Sequence, residues 1–405
     1  MDNYYNNLAY WIFLYLDIAY YSNLVKSYND YFNKHNIKKI RYQAMSKIVK
    51  PIILRDIAVP VSEFYKNFKD FAPEEYVEIL QNKENKNFIE FTKLIRNNMK
   101  YLPKKNKSDL SRINSILDET NEIVKADSFD GKQDFDYYSG LYLGRHRLYG
   151  SPLITNKHIF YEINKKYDCD EIKKYENSIP ENLKAILNSI DQVFEKASIS
   201  IKDLDINISI PNNKKRKIFT MIEWNKNIDY MVLNSGFEKE ILYLFILVIQ
   251  EISAIDFCFD CIFDEVALKQ NTILLFFSTK WLATKIDEII DMFEAIIRFG
   301  HQYNLSAELF DQKLKSEVGD FDDIRIPVSA LRNSLHYVNA SKMSLQIVDN
   351  SVNIDINAIF NTVCPGYYSQ NDYFNLYNKI RTKLKSVRLF CENNIGTKFH
   401  VRKEQ

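Results

Sequence analysis

An arginine, an asparagine and a histidine lie close together in the stretch 331–337, as Arg332, Asn333 and His336. If this stretch is helical, the arginine and the histidine, four residues apart, share one face. A guanidinium grips a phosphate through two parallel hydrogen bonds, and an imidazole that titrates near neutral pH can move a proton to or from a ribose 2′-hydroxyl. The asparagine can add a hydrogen bond to a phosphate or to neighbouring backbone. The three residues therefore predict cleavage of RNA phosphodiesters without a metal ion or another cofactor.

The same spacing also fits a structural interpretation. Arginine and histidine four residues apart occur by chance in many helices, and His336, which is followed by Tyr337, fits the polar edge of a packed core. A buried His336 ring would favour this interpretation. An edge formed by Arg332 and His336 that faces a cleft would favour binding or catalysis instead.

The helix that must position these residues is predicted to begin at Pro327, because proline at the first helical position loses no hydrogen bond. Two long apolar-periodic segments, 237–267 and 272–298, precede it and predict a helical bundle. Arg332 and His336 would lie at the edge of that bundle. The face that packs inward carries apolar residues at helical spacing: Val328, Leu331, Leu335 and Val338.

Two further elements are predicted after that helix. Apolar and polar residues alternate in segments 344–348 and 352–356, which predicts a small β-hairpin with its turn at 349–351. The apolar spacing in 373–390 predicts a closing helix. Residues 236–405 therefore form a predicted C-terminal helical domain that carries a small β-hairpin.

The stretch 331–337, on a late helix of a bundle and before a hairpin and a closing helix, resembles the HEPN superfamily (higher eukaryotes and prokaryotes nucleotide-binding). The family signature is an arginine, usually followed by a polar residue that is often asparagine, and then a histidine on the same helix. Arg332, Asn333 and His336 occupy these positions here. Three residues separate the arginine from the histidine, which is a shorter gap than the family usually has.

This resemblance implies a metal-independent endoribonuclease in which the arginine and histidine pairs of two HEPN units face each other across a dimer. It implies RNA as the substrate and a homodimer as the assembly. It also implies a setting in antiphage abortive infection or in a toxin–antitoxin pair, with an antitoxin or another defence-system protein as partner. The alternatives are a HEPN-like protein that binds RNA or a nucleotide, or regulates a partner, without cutting, and a helical interaction scaffold.

The helical spacing of apolar residues in 1–128 predicts an N-terminal helical array. This array contains a second polar stretch. Arg96, Asn97 and Lys100 repeat the pattern of 331–337, with the lysine in place of the histidine. A lysine can bind phosphate but is a poor base at neutral pH. The repeat either arises by chance in an Asn-rich chain or marks an internal duplication, in which the array would be a degenerate HEPN-like unit that contacts RNA.

Residues 129–235 are the least regular part and read as a connector or an insertion. This part contains glycines together with aromatic residues that could stack on bases and basic residues that could bind phosphate. The alternative is an ordinary ordered loop. A short strand is predicted at 206–210. The RNA contacts predicted from this mixture, and from the aromatic residue beside the main motif, are Arg145, His146, Arg147 and Tyr337.

The charge balance, the cysteines and the apolar segments of the chain indicate its compartment. In 405 residues, 54 Lys and Arg nearly cancel 53 Asp and Glu, so no global positive field attracts nucleic acid. Five scattered cysteines make no disulfide framework, and we interpret Cys258 and Cys261 as buried helix thiols. The apolar segment 241–249 is too short to span a bilayer, and no signal-peptide pattern is present. We therefore expect a cytoplasmic protein that does not contact a membrane, and the helical spacing of apolar residues along the chain predicts an all-α fold.

Overall fold

Helices make up almost all of the part of the chain that the computed structural model describes, which confirms the all-α class. The described residues are 2–35, 39–99, 239–299, 305–334 and 370–394, most of 171–198, and parts of 206–211, 346–353 and 361–369. In chain order the helices are α1 (Asp2–Lys34), α2 (Lys39–Phe71), α3 (Pro73–Gln81), α4 (Lys83–Met99), α5 (Ile179–Lys196), α6 (Lys239–Phe257), a π-helix (Cys258–Ile262), α7 (Glu265–Gln270), α8 (Thr272–Phe299), α9 (Ala307–Val318), α10 (Asp322–Arg332) and α11 (Gln370–Asn394).

Three long helices, α1, α2 and α8, run through the middle of the molecule and are buried on nearly all sides over much of their length. Their sequences are apolar around most of the circumference rather than along one stripe, which is typical of central helices. Helices α3 and α4 pack on α2, α5 packs on α1, and α9, α10 and α11 pack on α8. Helix α6 lies against both α2 and α11. Helices from both ends of the chain thus share one core, and the predicted division at residues 128 and 236 stays a prediction.

Five charged side chains are buried where α2, α6 and α8 meet. This central charge cluster consists of Arg55, Asp56, Glu251, Lys285 and Glu288, all of them buried. Arg55 forms ion pairs with Glu251 and, at 3.5 Å, with Glu288, and Lys285 Nζ lies 2.5 Å from Asp56 Oδ1. Buried charges are tolerated only when they are paired in this way. Burial raises the pKa of Glu288, although the neighbouring Lys285 and Arg55 oppose that shift.

A second buried ion pair joins Asp17 of α1 to Lys280 of α8. Burial raises the pKa of Asp17, and Lys280 opposes that shift. Lys280 Nζ also lies 5.6 Å from the centre of the Phe13 ring, a distance at which an ammonium is attracted to an aromatic face. Like the Arg55 pair with Glu251, this pair links a helix from the N-terminal part to a helix from the C-terminal part.

Strand structure among the described residues is limited to β1 (Gln346–Val348) and β2 (Ser351–Asn353). The two strands pair antiparallel, with Ile347 opposite Val352. The outer residues of the predicted hairpin segments, 344–345 and 354–356, lie outside the described part. Strands of three residues form no layer of their own, so they leave the fold class unchanged.

The helix that carries Arg332 begins earlier than predicted. Helix α10 starts at Asp322, and Asp322 and Asp323 occupy its first turn, where carboxylates meet the positive end of the helix dipole. Pro327 therefore lies inside the helix, where it cannot donate a hydrogen bond to the preceding turn. The prediction that Pro327 is the first helical residue is wrong, because the acidic start signal lies upstream of the proline.

Three other predicted elements also differ from the structure. The segment 237–267 is not one helix, since α6 passes into the π-helix and Asp264 then caps α7 by accepting hydrogen bonds from two backbone N–H groups. The described residues of the predicted strand at 206–210 are not in a strand. Within the predicted connector 129–235, α5 is a regular helix whose apolar face is buried against α1.

Candidate functional site

Ion pairs join Arg332 to the neighbouring helix α8. Arg325 of α10 pairs with Glu294 of α8, with Arg325 Nη2 2.5 Å from Glu294 Oε1. Further along α10, Arg332 Nη1 binds Asp287 and lies 3.6 Å from Asp291 Oδ2. The later arginine on α10 pairs with the earlier acids on α8, so the two helices are antiparallel. We call this set of contacts the α8–α10 ladder.

The Arg332 side chain is held in place but is not enclosed. Its side chain is 41% exposed, whereas that of Asp287 is 13% exposed. Partial burial acts to lower the pKa of Arg332, but Asp287, Glu288 and Asp291 outweigh it and raise the pKa above its ordinary value. The guanidinium is therefore a permanent charge at the end of α10. Of the five N–H donors of a guanidinium, the ladder uses those on Nη1.

Asp291 is the more weakly bound of the two acids. Its side chain is 48% exposed and its contact with Arg332, at 3.6 Å, is longer than an ordinary hydrogen bond. Burial and the neighbouring Asp287 raise the pKa of Asp291, while Arg332 lowers it. An incoming phosphate would therefore displace Asp291 from the guanidinium more easily than it would displace Asp287.

Asn333 ends the helix that carries Arg332. Its backbone N–H donates to the carbonyl oxygen of Ser329, and its side-chain Nδ2 donates to the same oxygen at 2.9 Å. The next residue, Ser334, is fully buried. The side-chain nitrogen of Asn333 thus hydrogen-bonds within the last turn of its own helix. The predicted contact of this side chain with phosphate stays a prediction.

Several predicted site residues lie outside the described part of the chain. Arg96 and Asn97 belong to the last turn of α4, but their side chains are among the parts not described. Helix α10 ends at Arg332 and Asn333 lies in a turn, so the prediction that one unbroken helix carries Arg332 and His336 is wrong, and the position of His336 relative to Arg332 stays a prediction. The predicted residues that fall wholly outside the described part are His336, Tyr337, Lys100, Arg145, His146 and Arg147.

Sequence reasoning missed Asp287 and Asp291 as partners of the candidate arginine. They lie in a long apolar helix, and Asp287 is 45 residues from Arg332. A signal was available, because Asp287, Asp291 and Glu294 make an acidic stripe at helical spacing on α8 and the arginines of α10 are spaced seven residues apart. Matching these two stripes would have predicted the ladder.

Neither a metal site nor a membrane span stands out among the described residues. In the described ranges, no group of three or more His, Cys, Asp or Glu side chains is arranged to hold a metal ion. The same ranges contain no helix with the length and apolar character needed to cross a bilayer. Cys258 and Cys261 are buried in the π-helix, and burial raises the pKa of Cys258. Their interpretation as buried helix thiols is confirmed.

Comparisons with known proteins do not assign the chain to a family. No protein-family model, no curated protein and no solved structure matches it.

Proposed function

We propose that the protein is a metal-independent endoribonuclease of the HEPN type, in which Arg332 binds a phosphate and His336 moves a proton. The observation that supports this most is the state of Arg332. A permanent cation, anchored by Asp287 but 41% exposed, ends its helix four residues before a histidine. A fixed, charged and accessible guanidinium is what phosphate recognition requires.

The chemistry proposed is attack of a ribose 2′-oxygen on the adjacent phosphorus. The bond from phosphorus to the 5′-oxygen breaks, the 2′-hydroxyl loses a proton, and the leaving 5′-oxygen gains one. The products are a 2′,3′-cyclic phosphate and a 5′-hydroxyl. The charge on the phosphate is balanced by Arg332, and one of the two proton transfers is performed by His336.

Substitution of His336 by alanine tests this proposal. We expect the variant to lose cleavage by about 10²- to 10⁴-fold, the usual contribution of a positioned acid or base. The measurement is the cleavage rate of a labelled single-stranded RNA in EDTA, with identification of the cyclic phosphate end. Thermal melting serves as the control for folding. An active His336→Ala variant that melts like the parent would contradict the assignment.

Asp291 is expected to weaken RNA binding because it competes with phosphate for Arg332. Asp291→Asn should therefore bind RNA more tightly and with a weaker dependence on pH. The raised pKa of Asp291 sets the sign, since binding by the parent protein should strengthen as the pH falls and this carboxylate is neutralised. Fluorescence anisotropy at several pH values, parent against variant, measures the difference. Equal affinities and equal pH dependence would show that Asp291 does not compete.

The α8–α10 ladder also favours a second, non-catalytic proposal. Arg325 and Arg332 make the same type of interhelical pair, and both stabilise the contact between α8 and α10. If Arg332 serves only this purpose, the protein is a helical interaction scaffold. A third alternative is a HEPN-like protein that binds RNA or a nucleotide without cutting it. An assay of RNA cleavage in EDTA distinguishes this protein from the nuclease.

The cellular role that we propose is bacterial antiphage defence or a toxin–antitoxin pair. This part of the proposal is supported by the HEPN resemblance of the stretch 331–337. Cytoplasmic expression should then be toxic to a host cell, and the toxicity should be lost in His336→Ala.

A further inference from the structure

The order of the helices and several of their contacts repeat within the chain. In the N-terminal part, α1 and α2 are followed by the short α3, then by α4 packed on α2, and by α5 packed on α1. In the C-terminal part, α6 and α8, with the π-helix and α7 between them, precede the short α9, then α10 packed on α8, and α11 packed on both α8 and α6. The contacts of α3 with α5 and of α4 with α5 recur as contacts of α9 and α10 with α11. We call these sets of five helices unit one and unit two.

The second long helices of the two units, α2 and α8, carry similar residues at identical intervals. A cation, an alanine, a glutamate and a phenylalanine follow one another with the same spacing in both helices, and every one of them is buried. The residues are Arg55, Ala58, Glu63 and Phe68 in α2, and Lys280, Ala283, Glu288 and Phe293 in α8.

Helices α4 and α10 bury residues in the same register. Four buried positions recur with the same spacing: Phe88, Phe91, Thr92 and Ile95 in α4, and Ile324, Pro327, Val328 and Leu331 in α10. The residue after the last buried position is Arg96 in one helix and Arg332 in the other, and an asparagine follows each. Identities alone arise easily in an Asn-rich chain. Burial at this spacing lines one face of any amphipathic helix, so the feature that the two helices share is the position of the Arg–Asn pair directly after the buried face.

The buried ion pairs show how the two units face each other. Asp17 of α1 pairs with Lys280 of α8, and Glu251 of α6 pairs with Arg55 of α2. In each pair, an acid on the first long helix of one unit meets a cation on the second long helix of the other. Exchange of the units converts one pair into the other. This reciprocity is the signature of an interface with two-fold symmetry.

We infer that the chain contains two copies of one five-helix unit, paired within the molecule about a pseudo-two-fold axis, and that Arg96 is the counterpart of Arg332. The surface through which two such units pair is therefore already occupied within one chain. On the proposed function, the second set of phosphate contacts then comes from Arg96 of the same chain. A homodimer, which the HEPN resemblance suggested, is not needed to supply it.

The mass of the full-length protein in solution tests this pairing without any RNA. Light scattering during gel filtration, over a wide range of protein concentration, should give the mass of a single chain. A stable dimer would overturn the inference that the chain needs no second copy.

The role of Arg96 is tested by RNA binding, and this arm rests on the proposed function. Arg96→Ala and Arg332→Ala should each weaken binding of a fluorescent single-stranded RNA by about tenfold, the cost of one charged hydrogen-bonding contact. Lys86→Ala removes an exposed cation from the same helix α4 and should change affinity less than twofold, as expected for an isolated surface charge. Thermal melting checks that each variant is folded.

The possible outcomes separate the two proposals. If Arg332→Ala weakens binding and Arg96→Ala does not, the assignment of Arg96 as its counterpart is overturned. If neither variant weakens binding, the proposed function fails, and the solution mass still decides whether the chain needs a second copy. If both variants weaken binding and the protein is a monomer, the inference is supported.

Discussion

Replacing Arg55 with alanine should strongly destabilise the folded protein. Arg55 is fully buried and forms ion pairs with Asp56, Glu251 and Glu288. Without it, three buried carboxylates share the single cation of Lys285. Removing one partner from a buried ion pair typically costs about 3–5 kcal/mol, and the stability of a whole domain is only about 5–15 kcal/mol. The measurement is the free energy of unfolding in urea, compared with the parent protein.

Arg325→Ala is the matched control for this substitution. It also removes an arginine paired with a carboxylate, but both side chains of that pair are substantially exposed. Exposed pairs contribute about 0–1 kcal/mol, so the unfolding midpoint should shift little. If Arg55→Ala and Arg325→Ala were equally stable, the central charge cluster would not contribute to stability in the way that its burial implies.

The helical spans were predictable from the sequence because apolar spacing is a local property. The long helix at 272–298 and the closing helix at 373–390 match α8 and α11 closely. The predicted start of α10 is wrong because proline is a common first residue of helices, and here it lies downstream of the acidic pair that begins the helix. The break after Phe257 was missed because a π-helix preserves the apolar character that the spacing rules detect.

Contacts over long sequence distances were not predictable from local patterns. Arg55 and Glu251 are 196 residues apart, and each lies in an apolar helix where a single charge gives no indication of its partner. The same holds for Asp287, the partner of Arg332. The similarity of the Arg96 and Arg332 stretches was visible in the sequence, but the reciprocal ion pairs that support a repeat were not.

Arg332→Ala should reduce RNA cleavage by roughly 10²-fold or more, the usual effect of removing a preorganised group that stabilises charge in the transition state. The fold should persist, since the Arg332 side chain is 41% exposed. Arg332→Lys should recover only part of the rate, because an ammonium keeps the charge but lacks the planar fork that grips two phosphate oxygens.

The most direct test of the proposed nuclease compares Arg332→Ala with Arg325→Ala. Both substitutions remove one arginine from the α8–α10 ladder. Thermal melting is needed to separate packing from catalysis, since Arg332→Ala also removes the arginine partner of the largely buried Asp287. The quantity to measure is the initial rate of cleavage of a single-stranded RNA in EDTA, with both variants checked by thermal melting. We expect a loss of roughly 10²-fold or more for Arg332→Ala and nearly the parent rate for Arg325→Ala. Equal rates for the two folded variants would contradict a catalytic role for Arg332 and would favour the helical scaffold.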